Sequence, residues 1–125
     1  MGFRADRKGA RILDSRDVPS NYLDDIALLI RDEVAPDAVP KQHDSVPLFR
    51  IYAVLLLARG GAVTASDIHN AWVAWMAGID PAHDQLKPYD RLDPEIAALD
   101  DRYVEAIRRV ALRIAAANPT RRARR

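Results

Sequence analysis

Ser45-Val46-Pro47-Leu48-Phe49-Arg50-Ile51-Tyr52-Ala53-Val54-Leu55-Leu56-Leu57-Ala58-Arg59-Gly60-Gly61 is the stretch that decides the fold. Its start reads as a helix start. Serine suits a cap, and a proline in the first turn lacks only an N–H that would have no intrahelical partner there. Leu48, Phe49, Ile51, Tyr52, Val54, Leu55, Leu56 and Leu57 then make the segment apolar nearly all round. Such a helix is expected at the centre of a domain, covered by others. Gly60-Gly61 stops it, as glycine does just past a helix end. The apolar run from Ile51 to Ala58 is bounded by Arg50 and Arg59. It is far short of the roughly 20 residues a bilayer span needs, so no membrane partner is expected.

Working outward, Ser20 or Asn21 can cap a preceding helix carrying Tyr22, Leu23, Ile26, Leu29, Ile30 and Val34 at helical spacing. Pro36 ends it, and residues 35–44 read as a loop. On the other side, Thr64-Ala65-Ser66-Asp67 resembles a capping box with Asp in the acidic position. Ile68, Trp72, Trp75, Met76 and Ile79 share one side of the helix it opens, and Gly78 is the expected terminator. Residues 80–92 have no period and read as a crossover held by Leu86, Pro88, Tyr89 and Leu92. Asp93-Pro94-Glu95 starts a short helix or the last one. Tyr103, Val104, Ile107, Val110, Ala111 and Ile114 form the last helix's stripe, and Asn118-Pro119 ends it. The expectation is an all-α, or nearly all-α, single domain of four to five helices over residues 20–118. An N-terminal arm (1–19) precedes it and a basic tail (119–125) follows. The four main helices surround residues 51–58, and the crossover lies over the third and fourth. Gly61-Ala62-Val63 and Gln85-Leu86-Lys87 allow at most a minimal two-stranded element.

Composition narrows the chemistry. The 125 residues include no cysteine, which excludes disulfides and thiolate metal sites and fits a reducing cytoplasm. The charged start is followed by no apolar run, so no secretory signal is expected. The net charge of +1 hides a segregation, with −8 over residues 18–101 and +7 over residues 102–125. The acidic middle argues against the whole domain gripping nucleic acid, since phosphate contacts dominate such binding. Arg113, Arg121, Arg122, Arg124 and Arg125 remain as possible contacts for nucleic acid or another anion. Arg102, Arg109 and Arg113 share a face of the last helix. That face can meet an anion, or form ion pairs with the chain's own acidic middle. Arginine outnumbers lysine 16 to 3, the bias of a GC-rich coding genome.

Familiar catalytic signatures are absent. There is no Gly-x-Ser-x-Gly elbow, no phosphate loop after Gly60-Gly61, and no His-x-x-x-His pair among His43, His69 and His83. No enzyme activity, cofactor or metal is expected. A helix–turn–helix over Ala58 to Met76 would present Ile68, Trp72 and Trp75 to DNA, not base-reading side chains. What stands out is the density of rigid, half-polar groups between His69 and Leu92. His69 and Trp72 lie at i,i+3 and can cradle a planar or anionic molecule, although an indole is as readily core. His83 adjoins Asp84, which could tune it or simply cap a turn.

His69-x-x-Trp72, His83-x-x-Leu86-x-Pro88-Tyr89-Asp90-x-Leu92 and the last helix with Asp101, Val104 and Ile107 resemble the ryanodine-receptor repeat domain over about residues 64–110. Asp84 stands where that family has proline, and its Gly-Trp-x-Tyr-Gly segment is missing. The whole chain looks like an actinobacterial and actinophage family with a pared-down repeat. The resemblance implies a non-catalytic sensing or binding role, with nucleotide-like ligands and phage–host conflict as the usual proposals. The expected function is therefore a binding module for a small anionic, nucleotide-like ligand. Its contacts would be His69, Trp72, His83, Tyr89 and Arg109: stacking from Trp72, hydrogen bonds from the histidines and Tyr89, and anion pairing from Arg109. The rivals are a protein-interaction or host-takeover factor and, below it, weak nucleic-acid binding through the last helix and tail. Self-association is left open.

Overall fold

Asn21 opens α1 (Tyr22–Glu33), its side-chain oxygen accepting the Asp24 N–H at 2.9 Å. The computed structural model describes residues 21–117. The N-terminal arm, the basic tail and Arg121, Arg122, Arg124 and Arg125 lie outside them. A 3-10 turn at Pro36–Ala38 leads to α2 (Val46–Arg59), with its proline in the first turn. Ser45 takes the cap position, but the first free N–H, that of Val46, is bonded by the Asp44 carboxylate at 3.1 Å. Gly60 then adopts φ +54°, a left-handed conformation that glycine enters at no steric cost.

The capping box before α3 (Ala65–Ala77) is complete. Thr64 Oγ1 accepts the Asp67 N–H at 3.2 Å, and Asp67 returns the bond to the Thr64 N–H at 2.9 Å. Arg59 Nε donates to the same carboxylate at 3.0 Å, tying the end of α2 to the start of α3. Gly78 ends α3. The crossover carries a 3-10 turn at Tyr89–Arg91 and leads to α4 (Pro94–Ala97), a second turn at Ala98–Asp100, and α5 (Asp101–Ala117). The Asp-Pro start therefore belongs to a separate short helix. No strand occurs among the described residues, since Gly60–Ala62 is a 3-10 turn and Gln85–Lys87 lies in turns. The fold is all-α.

α2 touches α1, α3 and α5, so it is the centre of the domain. It buries Leu48, Phe49, Tyr52, Ala53 and Leu56 against Ile30 of α1, Ile68 and Met76 of α3, and Ile107 and Val110 of α5. Its cover is incomplete, however. Val54 is 51% and Leu57 53% exposed, so an all-round apolar helix here keeps one face at the surface. The stripe of α3 is shorter than expected too, because Ile79 falls beyond the helix end and is exposed. Among the described residues no helix is long and apolar enough to cross a membrane.

The two faces of α2 give a direct check. Leu48 is fully buried and Leu57 is not. Leu48→Ala is expected to lower the unfolding free energy by about 2–5 kcal/mol in urea titration. Leu57→Ala should stay within about 0.5 kcal/mol. Equal losses would mean that both faces are covered.

Candidate functional site

A cleft of about 400 Å³ opens where α3 meets the crossover and the first turn of α5. His69 and Trp72 of α3 form one wall. Tyr52 of α2 lies at its base, where the core ends. Asp37 and Ala38 come from the turn after α1, and Gln85 and Leu92 from the crossover. The remaining wall is Ile96 and Leu99 followed by Asp100, Arg102 and Tyr103.

Aromatic packing and three bonds to backbone carbonyls hold this arrangement. The rings of His69 and Trp72 stack at 5.8 Å with 20° between their planes, the outcome of their i,i+3 spacing. His83 meets the indole edge-on at 5.0 Å, and Tyr89 lies 6.2 Å from His69. His69 is 4% exposed, and its Nε2 bonds the Lys87 carbonyl oxygen at 2.6 Å, pinning the crossover to α3. A carbonyl only accepts, so Nε2 carries the hydrogen of this bond and Nδ1 takes no part in it. The opposite wall is fastened in the same way. The Tyr103 hydroxyl donates to the Ala38 carbonyl, and Trp75 Nε1–H donates to that of Asp44 at 3.2 Å.

Burial governs the electrostatics. It pushes the Asp100 carboxyl up to about 6; His69 pulls the other way and Asp101 adds to the rise. Burial also lifts the Tyr52 hydroxyl well above the ordinary tyrosine range, with Tyr103 and Asp100 contributing. Tyr103 is raised by burial and by Asp100, against the pull of Arg102. Among the described residues, the Tyr52 hydroxyl, His69 Nδ1 and the Asp100 carboxyl have no hydrogen-bond partner. All three belong to residues lining the cleft.

The model of one protein family, domain of unknown function DUF7701, matches residues 21–112. The chain belongs to this family. The match runs from the cap of α1 into α5, so the DUF7701 domain includes α1 and α2 as well as the elements around the cleft. No curated protein and no solved structure matches the chain.

Of the contacts expected from the sequence, the DUF7701 cleft contains His69 and Trp72. His83 and Tyr89 stand behind them as supports, and His83 Nδ1 is occupied by the Gln85 N–H at 3.1 Å, not by Asp84. Arg109 is not in the cleft. It pairs with Glu33 at 3.7 Å and Glu105 at 3.3 Å, while Arg113 meets Glu33 at 3.0 Å. Arg102 is farther along the same face and points to Asp37 at 3.6 Å. This arginine face thus joins α5 to α1 and to the turn after it through exposed pairs, each worth about 0–1 kcal/mol. Tyr52, Gln85, Asp100 and Tyr103 were not anticipated as site residues. The signal available for two of them was Asp100 and Tyr103 at i,i+3 beside the Val104–Ile107 stripe, an acid placed at the edge of an apolar face. Among the described residues, no group of three or more His, Asp or Glu is placed to hold a metal ion.

Asp100 supplies a pH test. Its folded-state value lies above the ordinary one, so between about pH 4 and 6 the folded chain keeps a proton that the unfolded chain has released. The stability this gives is present at low pH and lost as pH rises through about 6. Asp100→Asn, neutral throughout, should melt about 5 °C above the parent near pH 7.5, with the gap closing toward pH 4. The surrounding groups are His69, Tyr52, Tyr103, Asp101 and Arg102. A gap independent of pH would put this carboxylate in solvent.

Proposed function

We propose that this DUF7701 domain is a non-catalytic binding module that takes a small, flat molecule into the cleft beside Trp72. The observation that carries the reading is the cleft itself. Five separate segments converge on it, it has an indole and two phenol rings in its walls, and it leaves polar atoms of buried residues without partners. Its volume falls within the range of ligand pockets, about 300–1,000 Å³. The resemblance to the ryanodine-receptor repeat supports the same non-catalytic sensing role in a phage–host setting, and the absence of cysteine fits a cytoplasmic location. A nucleotide-like ligand fits better through its base than through its phosphates. Arg102 is the one Lys or Arg in the lining and is already paired with Asp37, while Asp100 would oppose an anion.

A second reading, docking of a protein partner, draws on the uncovered apolar side chains of α1 and α2, among them Leu28, Val54 and Leu57. Nucleic-acid binding ranks lower, because Arg109 and Arg113 are already paired with Glu33.

A fragment screen by thermal shift and by the Trp72 indole N–H resonance tests the primary reading. Flat fragments should raise the melting temperature in proportion to occupancy and shift that resonance. Leu99→Trp, which adds bulk to the cleft wall, should weaken the hits about tenfold. Hits that ignore Leu99→Trp, or a screen without hits, would remove the cleft as the site and favour the docking surface.

A further inference from the structure

The cleft wall has an unbalanced hydrogen-bonding inventory. His69 Nε2–H is committed to the Lys87 carbonyl, which leaves Nδ1 without a partner among the described residues. The Asp100 carboxylate accepts only when ionised. The Tyr52 hydroxyl, on a residue 1% exposed, can do either. A buried polar atom left unpaired costs about 1–3 kcal/mol, so those of Tyr52 and His69, with the half-buried Asp100 carboxyl beside them, describe what is to be bound there. Tyr52, His69, Asp100 and Tyr103 all line this one cleft, and the rings of Tyr52 and Tyr103 lie 5.3 Å apart. Arg102 does not serve Asp100 as a counter-ion, since its guanidinium pairs with Asp37 at the exposed rim. Water could satisfy the imidazole and the phenol. The carboxylate itself has no ion-pair partner among the described residues, and it lines the cleft beside aromatic rings, whose faces attract cations.

Resting on the reading of the cleft as a ligand site, we infer that its ligand is a flat organic cation rich in N–H donors, such as an amidinium, a guanidinium or a protonated amino-heterocycle. It lies against Trp72 and directs its N–H groups to the Asp100 carboxylate and His69 Nδ1. The cation supplies an ion-pair partner for the Asp100 carboxylate, and its planar N–H array meets the polar atoms that no bond among the described residues occupies. The Tyr52 hydroxyl accepts a further N–H or closes the array with its neighbours.

Three probes of one shape separate the possibilities: benzamidinium, benzamide and benzoate, titrated against the full chain while the Trp72 indole N–H is followed by NMR. Benzamidinium should bind about tenfold or more tighter than benzamide, with benzoate weakest. Asp100→Asn should bring benzamidinium and benzamide to within about threefold of each other. Circular dichroism would show that the variant keeps its helices. A second readout needs no variant: in the parent chain the benzamidinium advantage should shrink from about pH 7.5 to about pH 5 as Asp100 takes up its proton. Benzamide or benzoate binding as tightly as benzamidinium would overturn the cation assignment while leaving the cleft as a ligand site. A benzamidinium affinity indifferent both to Asp100→Asn and to pH would overturn the role of Asp100. If none of the three moved the Trp72 signal, the inference would fall, and the fragment screen alone would decide the fate of the cleft.

Discussion

Burial of one face of α2 against three helices at once is the constraint on which the rest of the structure depends. Leu48, Phe49, Tyr52, Ala53 and Leu56 are all nearly inaccessible. Each of the larger side chains gains about 1.5–3 kcal/mol from that burial. The same constraint creates the site. Tyr52 packs its ring 5.4 Å from Phe49 and 5.3 Å from Tyr103, and its residue also lines the cleft. The cleft therefore has a rigid base, because moving Tyr52 would disturb the centre of the domain.

Helix positions were largely legible because the signals for their ends are local. Asn21, the Thr64–Asp67 box, Gly60 and Gly78 each act through one or two bonds or one dihedral angle, and each stands at a helix end. The face that α2 buries was not legible. A segment apolar on every side carries no period to orient it, so exposed Val54 and Leu57 look like core until neighbouring helices choose a side. α5 is the opposite case. Its Val104–Ile107–Val110 stripe is flanked by charges, and those residues are buried as their spacing implies.

The site was half legible for a related reason. His69 and Trp72 are neighbours through helix spacing alone, so their partnership could be read directly. Asp100, Tyr52 and Gln85 join them only through tertiary packing, which spacing does not report. Arg109 was drawn away by an interaction of the same kind. Glu33, distant in sequence, receives both Arg109 and Arg113. The segregation of charge along the chain is thereby resolved in part inside the domain: the basic last helix leans on the acidic first one.

How the polar groups are treated distinguishes scaffold from site. The indole of Trp75, the hydroxyl of Tyr103 and the guanidinium of Arg108 each donate to a backbone carbonyl, with Arg108 reaching Val63 at 2.7 Å. Those bonds fasten loops to helices. Asp100 receives no such treatment, although an asparagine there would avoid the cost of a partly buried charge. That half-buried carboxylate lines the cleft together with His69, whose Nε2–H is already held by a backbone bond. The Arg102 guanidinium in the same lining is held by Asp37, so among the described residues the carboxylate has no ion-pair partner.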